Sequence, residues 1–215
     1  MNTAANDVVR PRFARMYPKA AARAERRGAS IHRRALLAGL TGRVVELGAG
    51  NGLNFSHYPD SVDEVIAIEP EPTLRGAAEE AASHASARIS VQAGTADALP
   101  LGDGAVDAAV ASLVLCSVPD QAAALAELRR VIKPGGELRF YEHVIANRQP
   151  KRGLLTMADR SGLWPAITGG CHPARDTGPA IEAAGFVIEE SERFMFAASA
   201  FEPSVPHILG VARRA

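Results

Sequence analysis

The chain has 215 residues, enough for one α/β domain with a buried core of its own. Its 24 lysines and arginines balance 24 aspartates and glutamates, so there is no global basic field and nucleic acid is not expected as a partner. Cys116 and Cys171 form neither a C-x-x-C pair nor a disulfide framework, which fits a reducing cytoplasm. No secretory leader is visible, and the longest apolar stretch, around residues 108–118, falls short of the ~20 residues a bilayer span needs.

Residues 9–40 read as helical, with interruptions expected near Pro18 and Gly28 and apolar anchors at Phe13, Met16, Tyr17, Ile31, Leu36 and Leu37. Between Arg10 and Arg34, nine basic residues meet one acid, Glu25. Two uses stand open: a solvated helix face, or a basic surface facing an anionic membrane, an acidic substrate or RNA. Residues 1–40 are read as a helical cap on the same domain as residues 41–215.

A strand over residues 43–47 leads into Gly48-Ala49-Gly50-Asn51-Gly52. Glycines at alternate positions let the chain turn sharply and bring bare backbone against a ligand. A helix starting near residue 54 is expected to aim its N-terminal amides at that ligand. The third glycine comes one residue too early for the dinucleotide pattern G-x-G-x-x-G, and Glu46 stands two residues ahead of the first. A carboxylate there suits a cationic ligand group better than a pyrophosphate.

A buried strand over residues 64–68 ends at Glu69-Pro70, where a carboxylate can accept both hydroxyls of a ribose. A helix over 73–83 and a short strand over 88–91 follow. Next comes Gly94-Thr95-Ala96-Asp97-Ala98-Leu99-Pro100, whose acid serves either a ligand or a turn cap. A strand over 106–115, a helix over 120–132 stopped by Lys133-Pro134-Gly135-Gly136, and a strand over 137–144 continue the alternation. Residues 147–178, rich in Pro, Gly and basic residues and holding Trp164, read as an insertion or lid above the strand ends. A helix over 177–184 and strands over 186–194 and 207–212 complete a single domain. The β-α-β-α order predicts an α/β fold with a mostly parallel sheet covered on both faces.

Leader carboxylate, glycine turn, ribose acid, second acid and K-P-G-G stop occur in this order over residues 40–145. Together they resemble the class I S-adenosylmethionine (SAM)-dependent methyltransferases. The resemblance implies a Rossmann-like fold with a seven-stranded sheet, and SAM as cofactor. It further implies that Glu46 and the backbone of Gly48, Ala49 and Gly50 hold the methionyl end, with Gly52 and Asn54 also in the cofactor site. Glu69 would hold the ribose and Pro70 would pack by the adenine. Asp97, with Ala98 beside it, would take the adenine amine, and Leu113 would lie near the reactive methyl.

The fourth-strand exit carries no Asn/Asp-Pro-Pro-Tyr run but Ser112-Leu113-Val114-Leu115-Cys116-Ser117-Val118. With Tyr141-Glu142-His143-Val144, Gly170-Cys171 and Pro206-His207-Ile208-Leu209-Gly210, it is similar to the methyltransferase-like alkyl thiol methyltransferases. That likeness implies a small lipophilic acceptor, a thiol or sulfide. The basic N-terminus departs from the apolar anchor of the animal members. A phospholipid amine or a quinone or phenol is the alternative acceptor; a nucleotide-dependent oxidoreductase and a SAM-sensing module are the rival functions. No obligate protein partner is implied.

His143 is the candidate general base or positioning residue, with a structural histidine as the other reading. A thiol with pKa ~8.5 needs only modest help to ionise. His172 and His207 are secondary candidates, and Cys116 reads as a small buried apolar residue. Trp164, Phe194, Phe196 and Phe201 belong to the core or to an acceptor pocket. No histidine has metal-ligand spacing to a cysteine or carboxylate, so no metal site is expected.

Overall fold

A computed structural model describes residues 9–198 and 204–215, so Phe201 lies outside the described residues. Seven strands form one sheet: β1 Gly42–Leu47, β2 Val62–Ile68, β3 Ile89–Gln92, β4 Val106–Ser112, β5 Ile132–His143, β6 Phe186–Phe196 and β7 Val205–Arg214. Their order is β3-β2-β1-β4-β5-β7-β6. β1 to β5 pair in parallel, and β7 runs antiparallel between β5 and β6. The strand order reverses between β1 and β4, which opens a crevice at their carboxyl ends where ligands of open α/β sheets bind.

The helices are α1 Pro11–Ala24, α2 Ser30–Leu37, α3 Pro72–Ser83, α4 Gln121–Val131, α5 Lys151–Arg160, α6 Leu163–Ile167 and α7 Thr177–Ala183. Side chains alternate across each strand, so the sheet carries a core on either face. Val44, Val65 and Val110 pack under α2 residues Leu36 and Leu37. Val45, Leu47 and Ile68 pack on the other face with Leu125 and Leu128 of α4. This alternation puts Glu46 on the Val44 face, and that fixes its role.

Four expectations change. No α-helix follows the glycine turn; only the three-residue 3-10 turn Phe55–His57 does. There the Asn54 side chain turns inward to a buried carboxylate, and Pro59 takes away a backbone donor where a helix would need to extend. Pro18 sits inside α1 without ending it, whereas Gly28, at φ 108°, makes the bend between α1 and α2. The Lys133-Pro134-Gly135-Gly136 run lies within β5 rather than ahead of it, because α4 passes directly into the strand at Ile132. The segment above the strand ends is largely helical, holding α5 and α6.

Candidate active site

A cavity of about 810 Å³ opens at the carboxyl ends of β1 and β4. One end is built from turns that immediately follow strands. Gly48 and Gly50 line it, both with positive φ. A Cβ on Gly48 would run into Val114 of the loop after β4, and one on Gly50 would stand 3.3 Å from the Tyr17 ring. Both positions therefore admit only bare backbone. The buried Glu69 accepts from Gly50 N–H at 2.8 Å through one oxygen and from Glu71 N–H at 2.9 Å through the other. Burial raises its pKa, opposed by those two amides. Each oxygen keeps a further acceptor site toward the cavity. Pro70, the exposed Asp97 and Leu113 line the same end. Leu113 has φ 57°, a left-handed conformation that costs a residue with a Cβ about 1–2 kcal/mol. Its N–H is tied to Tyr141 O at 2.6 Å.

Glu46 does not line the cavity. Its carboxylate is buried under α2 and accepts from Asn54 Nδ2 at 2.8 Å and Tyr58 Oη at 2.7 Å. Arg33 donates to Asn54 Oδ1 at 2.9 Å and to Glu25 at 2.8 Å, and it reaches Ser112 Oγ at 3.2 Å. Burial pushes Glu46 up to about 7, against the Tyr58 and Asn54 hydrogen bonds and the Arg33 charge. Its carboxylate is thus held in a buried network behind the glycine turn. Ala49, Gly52, Asn54 and Ala98 also lie outside the cavity lining.

The other end is closed by distant segments. Phe13 of α1, Trp164 and Ile167 of α6, Phe196 of β6 and His207 of β7 line it. α1 lines the cavity through Phe13, Met16 and Tyr17, and just ahead of it Arg10 Nη1 donates to Pro165 O of the lid at 3.4 Å. His143 and His207 are cross-strand partners with ring centroids 4.4 Å apart. His207 donates through Nδ1–H to Val205 O at 3.0 Å, and burial pushes its pKa down to about 3. His143 Nδ1 lies 3.5 Å from Cys116 Sγ and 3.4 Å from Cys171 Sγ. Burial works against its protonation, but the Cys116 contact outweighs it and the imidazole pKa is raised. Cys116 is held as a thiol by hydrogen bonding with Cys171 and by burial.

A methyltransferase domain family matches residues 45–140. Thiol S-methyltransferase TMT1B of Mus musculus is 34% identical over 181 residues, covering 82% of this chain and 73% of that protein. The chain belongs to the class I methyltransferase family. Thiol S-methyltransferase TMT1A of Homo sapiens is 32% identical over 182 residues, 81% of this chain and 72% of that protein. A SAM-dependent methyltransferase from Thermotoga maritima shares the fold, with TM-score 0.68 and 21% identity over 94% of this chain and 98% of that one.

In this methyltransferase, the loop after β4 is held by two residues that sequence reasoning did not single out. Glu142, fully buried, accepts from Val114 N–H at 3.0 Å, Leu115 N–H at 2.9 Å and Cys116 N–H at 3.1 Å. Arg175 donates to Leu115 O at 2.8 Å and Val118 O at 2.7 Å. A carboxylate at the inner end of an apolar central strand was the visible signal for Glu142. Nothing local marks Arg175. Of the secondary histidines, His172 pairs with Asp159 of α5 at 2.8 Å and stays out of the cavity lining. Phe194 stacks on His32 with centroids 4.2 Å apart, in an aromatic cluster beside the site. Among the described residues no helix is long and apolar enough to cross a membrane.

Proposed function

We propose that this methyltransferase acts in the cytoplasm and transfers the methyl group of SAM to a small lipophilic thiol. The observation that carries the reading is the acceptor end of the cavity, where aromatic and aliphatic walls close around His143 and Cys171. The two relatives named thiol S-methyltransferases, at 34% and 32% identity, support the same acceptor class.

The cofactor end fits SAM on its own geometry. The two glycine positions bring bare backbone to the cavity, where a Cβ would meet Val114 or Tyr17, and Glu69 offers unused acceptor sites next to them. Glu69 would accept the ribose hydroxyls and Asp97 the adenine amine, with Pro70 against the ring. Leu113 would face the region of the transferred methyl. Glu46, Asn54, Tyr58 and Arg33 support the turn from behind. SAM supplies a methyl group on a positive sulfur; the protein aligns the acceptor, excludes water and brings it to the anionic form. We assign that last task to His143.

Purified protein incubated with methyl-labelled SAM and a panel of acceptors tests this. A lipophilic thiol or sulfide is expected to be labelled, while a phenol, a quinol and phosphatidylethanolamine are not. Label on only those other acceptors would reject the thiol assignment. His143→Ala is expected to lower the rate by about 10²-fold or more while leaving cofactor affinity within about twofold. An unchanged rate and pH profile would remove His143 from the reaction.

A further inference from the structure

Three side chains whose spacing along the chain does not suggest a common ligand set meet at the acceptor end. Cys116 follows β4, His143 ends β5 and Cys171 closes the lid, 27 and 28 residues apart. Their ligand atoms all lie within 4.8 Å of one another. Spacing along the chain excluded a metal site; the fold assembles three ligand-type side chains regardless.

The geometry is specific. His143 Nδ1 stands 3.5 Å from one sulfur and 3.4 Å from the other. With Zn–S near 2.3 Å and Zn–N near 2.05 Å, tetrahedral angles place two such ligand atoms about 3.6 Å apart. A single imidazole nitrogen has one proton or one lone pair, so hydrogen bonding to both thiols has to be shared between them. An ion among the three atoms accounts for both approaches at once.

Each ligand is also held from outside the triad. The Cys116 N–H is fixed by Glu142 at 3.1 Å, and Cys116 O accepts from His172 N–H at 2.8 Å, which ties it to the residue following Cys171. His143 is braced by His207 across the strand pair. Such outer contacts orient metal ligands. Cys116 is buried behind, whereas His143 and Cys171 line the cavity, so the open side of the triad faces the acceptor. Two thiolates and one imidazole with an open fourth position form a catalytic zinc set.

We propose that Cys116, His143 and Cys171 bind a zinc ion whose fourth coordination position takes the acceptor as its thiolate. The ion stands on the triad alone; its acceptor rests on the thiol reading above. Binding the ion would release the Cys116 and Cys171 thiol protons to solvent, and on coordination the acceptor S–H proton would follow. The thiolate lone pair then forms the new S–CH3 bond as the bond from the methyl carbon to the cofactor sulfur breaks, and that electron pair stays on the sulfur of neutral S-adenosylhomocysteine. The product thioether is uncharged and a weaker ligand, so it leaves the position to water. The ion would then ionise the acceptor, and His143 would serve as its ligand in place of the base role assigned above.

The test uses the full chain, expressed with zinc and purified under reductant. Elemental analysis is expected to find about one zinc per chain. Exchange with cobalt(II) should give a thiolate-to-cobalt charge-transfer band and the visible bands of a tetrahedral site. Cys171→Ser should weaken zinc binding at least about tenfold, read by competition with a chromophoric chelator. The cobalt spectrum of the unsubstituted protein needs no variant, so a misfolded Cys116→Ser protein would not blunt the test. Folded, reduced protein that holds no zinc and gives no cobalt–thiolate band overturns the site, as does zinc retained by the Cys116→Ser/Cys171→Ser double variant. A Cys116–Cys171 disulfide in place of metal binding overturns it too. If chelator-stripped protein methylates the thiol at the full rate, the role of the ion in the reaction falls while the thiol reading stands. If zinc-loaded protein methylates only a phenol or an amine, the ion stands and the zinc-bound thiolate falls.

Discussion

The two ends of the cavity are built differently. The cofactor end comes from the exits of four neighbouring parallel strands and rests largely on backbone: Glu69 holds two amides, and Gly48 and Gly50 present bare chain. The acceptor end is gathered from α1, the lid, the loop after β4, β5 and β7, and it depends on side chains meeting across long sequence separations. The first end has little tolerance for any added atom. The second can change its walls without disturbing the sheet, as expected where loops on a rigid scaffold carry specificity.

The sharpest way to break this contrast is Gly48→Ala. The added methyl meets Val114 at a left-handed backbone position. Left-handed strain of about 1–2 kcal/mol and overpacking of about 1–3 kcal/mol should weaken SAM binding by about 100-fold, read by calorimetry. Phe196→Leu at the acceptor end should leave cofactor affinity within about twofold and alter only acceptor preference. Equal losses in both variants would erase the distinction.

Asp97→Ala is expected to weaken SAM by ~1.5–3 kcal/mol through loss of a charge-assisted hydrogen bond, with the melting temperature of the cofactor-free protein unmoved. Unchanged affinity would reject the adenine assignment. Glu142→Gln lies between the two ends. It should cost about 1–3 kcal/mol of stability as an acceptor for the loop amides is lost, and it should lower the rate more than cofactor affinity. A loss confined to stability would make Glu142 a fold residue only.

The smallest effects are in pH dependence, and they have opposite signs. Glu46 is raised from 4.5 to about 7, so its stabilising contribution is complete below 4.5 and is lost as pH rises through about 7. His207 is lowered from 6.5 to about 3, so its contribution is complete above 6.5 and is lost as pH falls toward 3. Between 4.5 and 6.5 the two slopes oppose each other, each at most about 1.4 kcal/mol per pH unit. Glu46→Gln should make the melting temperature rise with pH across that window, and His207→Gln should make it fall. Two flat profiles would remove both assignments.

The sheet was largely legible from local pattern. Short apolar runs punctuated by glycine, proline and acidic residues marked every strand, and Glu69, Asp97 and Gly48 stand beside strand ends where their motifs put them. Glu46 was legible as the carboxylate ahead of the glycine turn, but its neighbours were not. Its side is set by strand alternation, yet only packing under α2 reveals that Arg33, Asn54 and Tyr58 enclose it. The basic N-terminal segment read as a surface charge run; folded, α1 lines the cavity and Arg33 is buried in an ion pair with Glu25.

By itself, then, the sequence determined the α/β class, the strand succession and the glycine turn with its acids, because each depends on the conformational and hydropathic preferences of residues close together in the chain. The tertiary structure alone decided what encloses Glu46, how α1 and the lid line the cavity, and that Cys116, His143 and Cys171 converge. Those outcomes depend on the β5–β7 register and on helix packing over the sheet, contacts between segments whose separation along the chain carries no local signal.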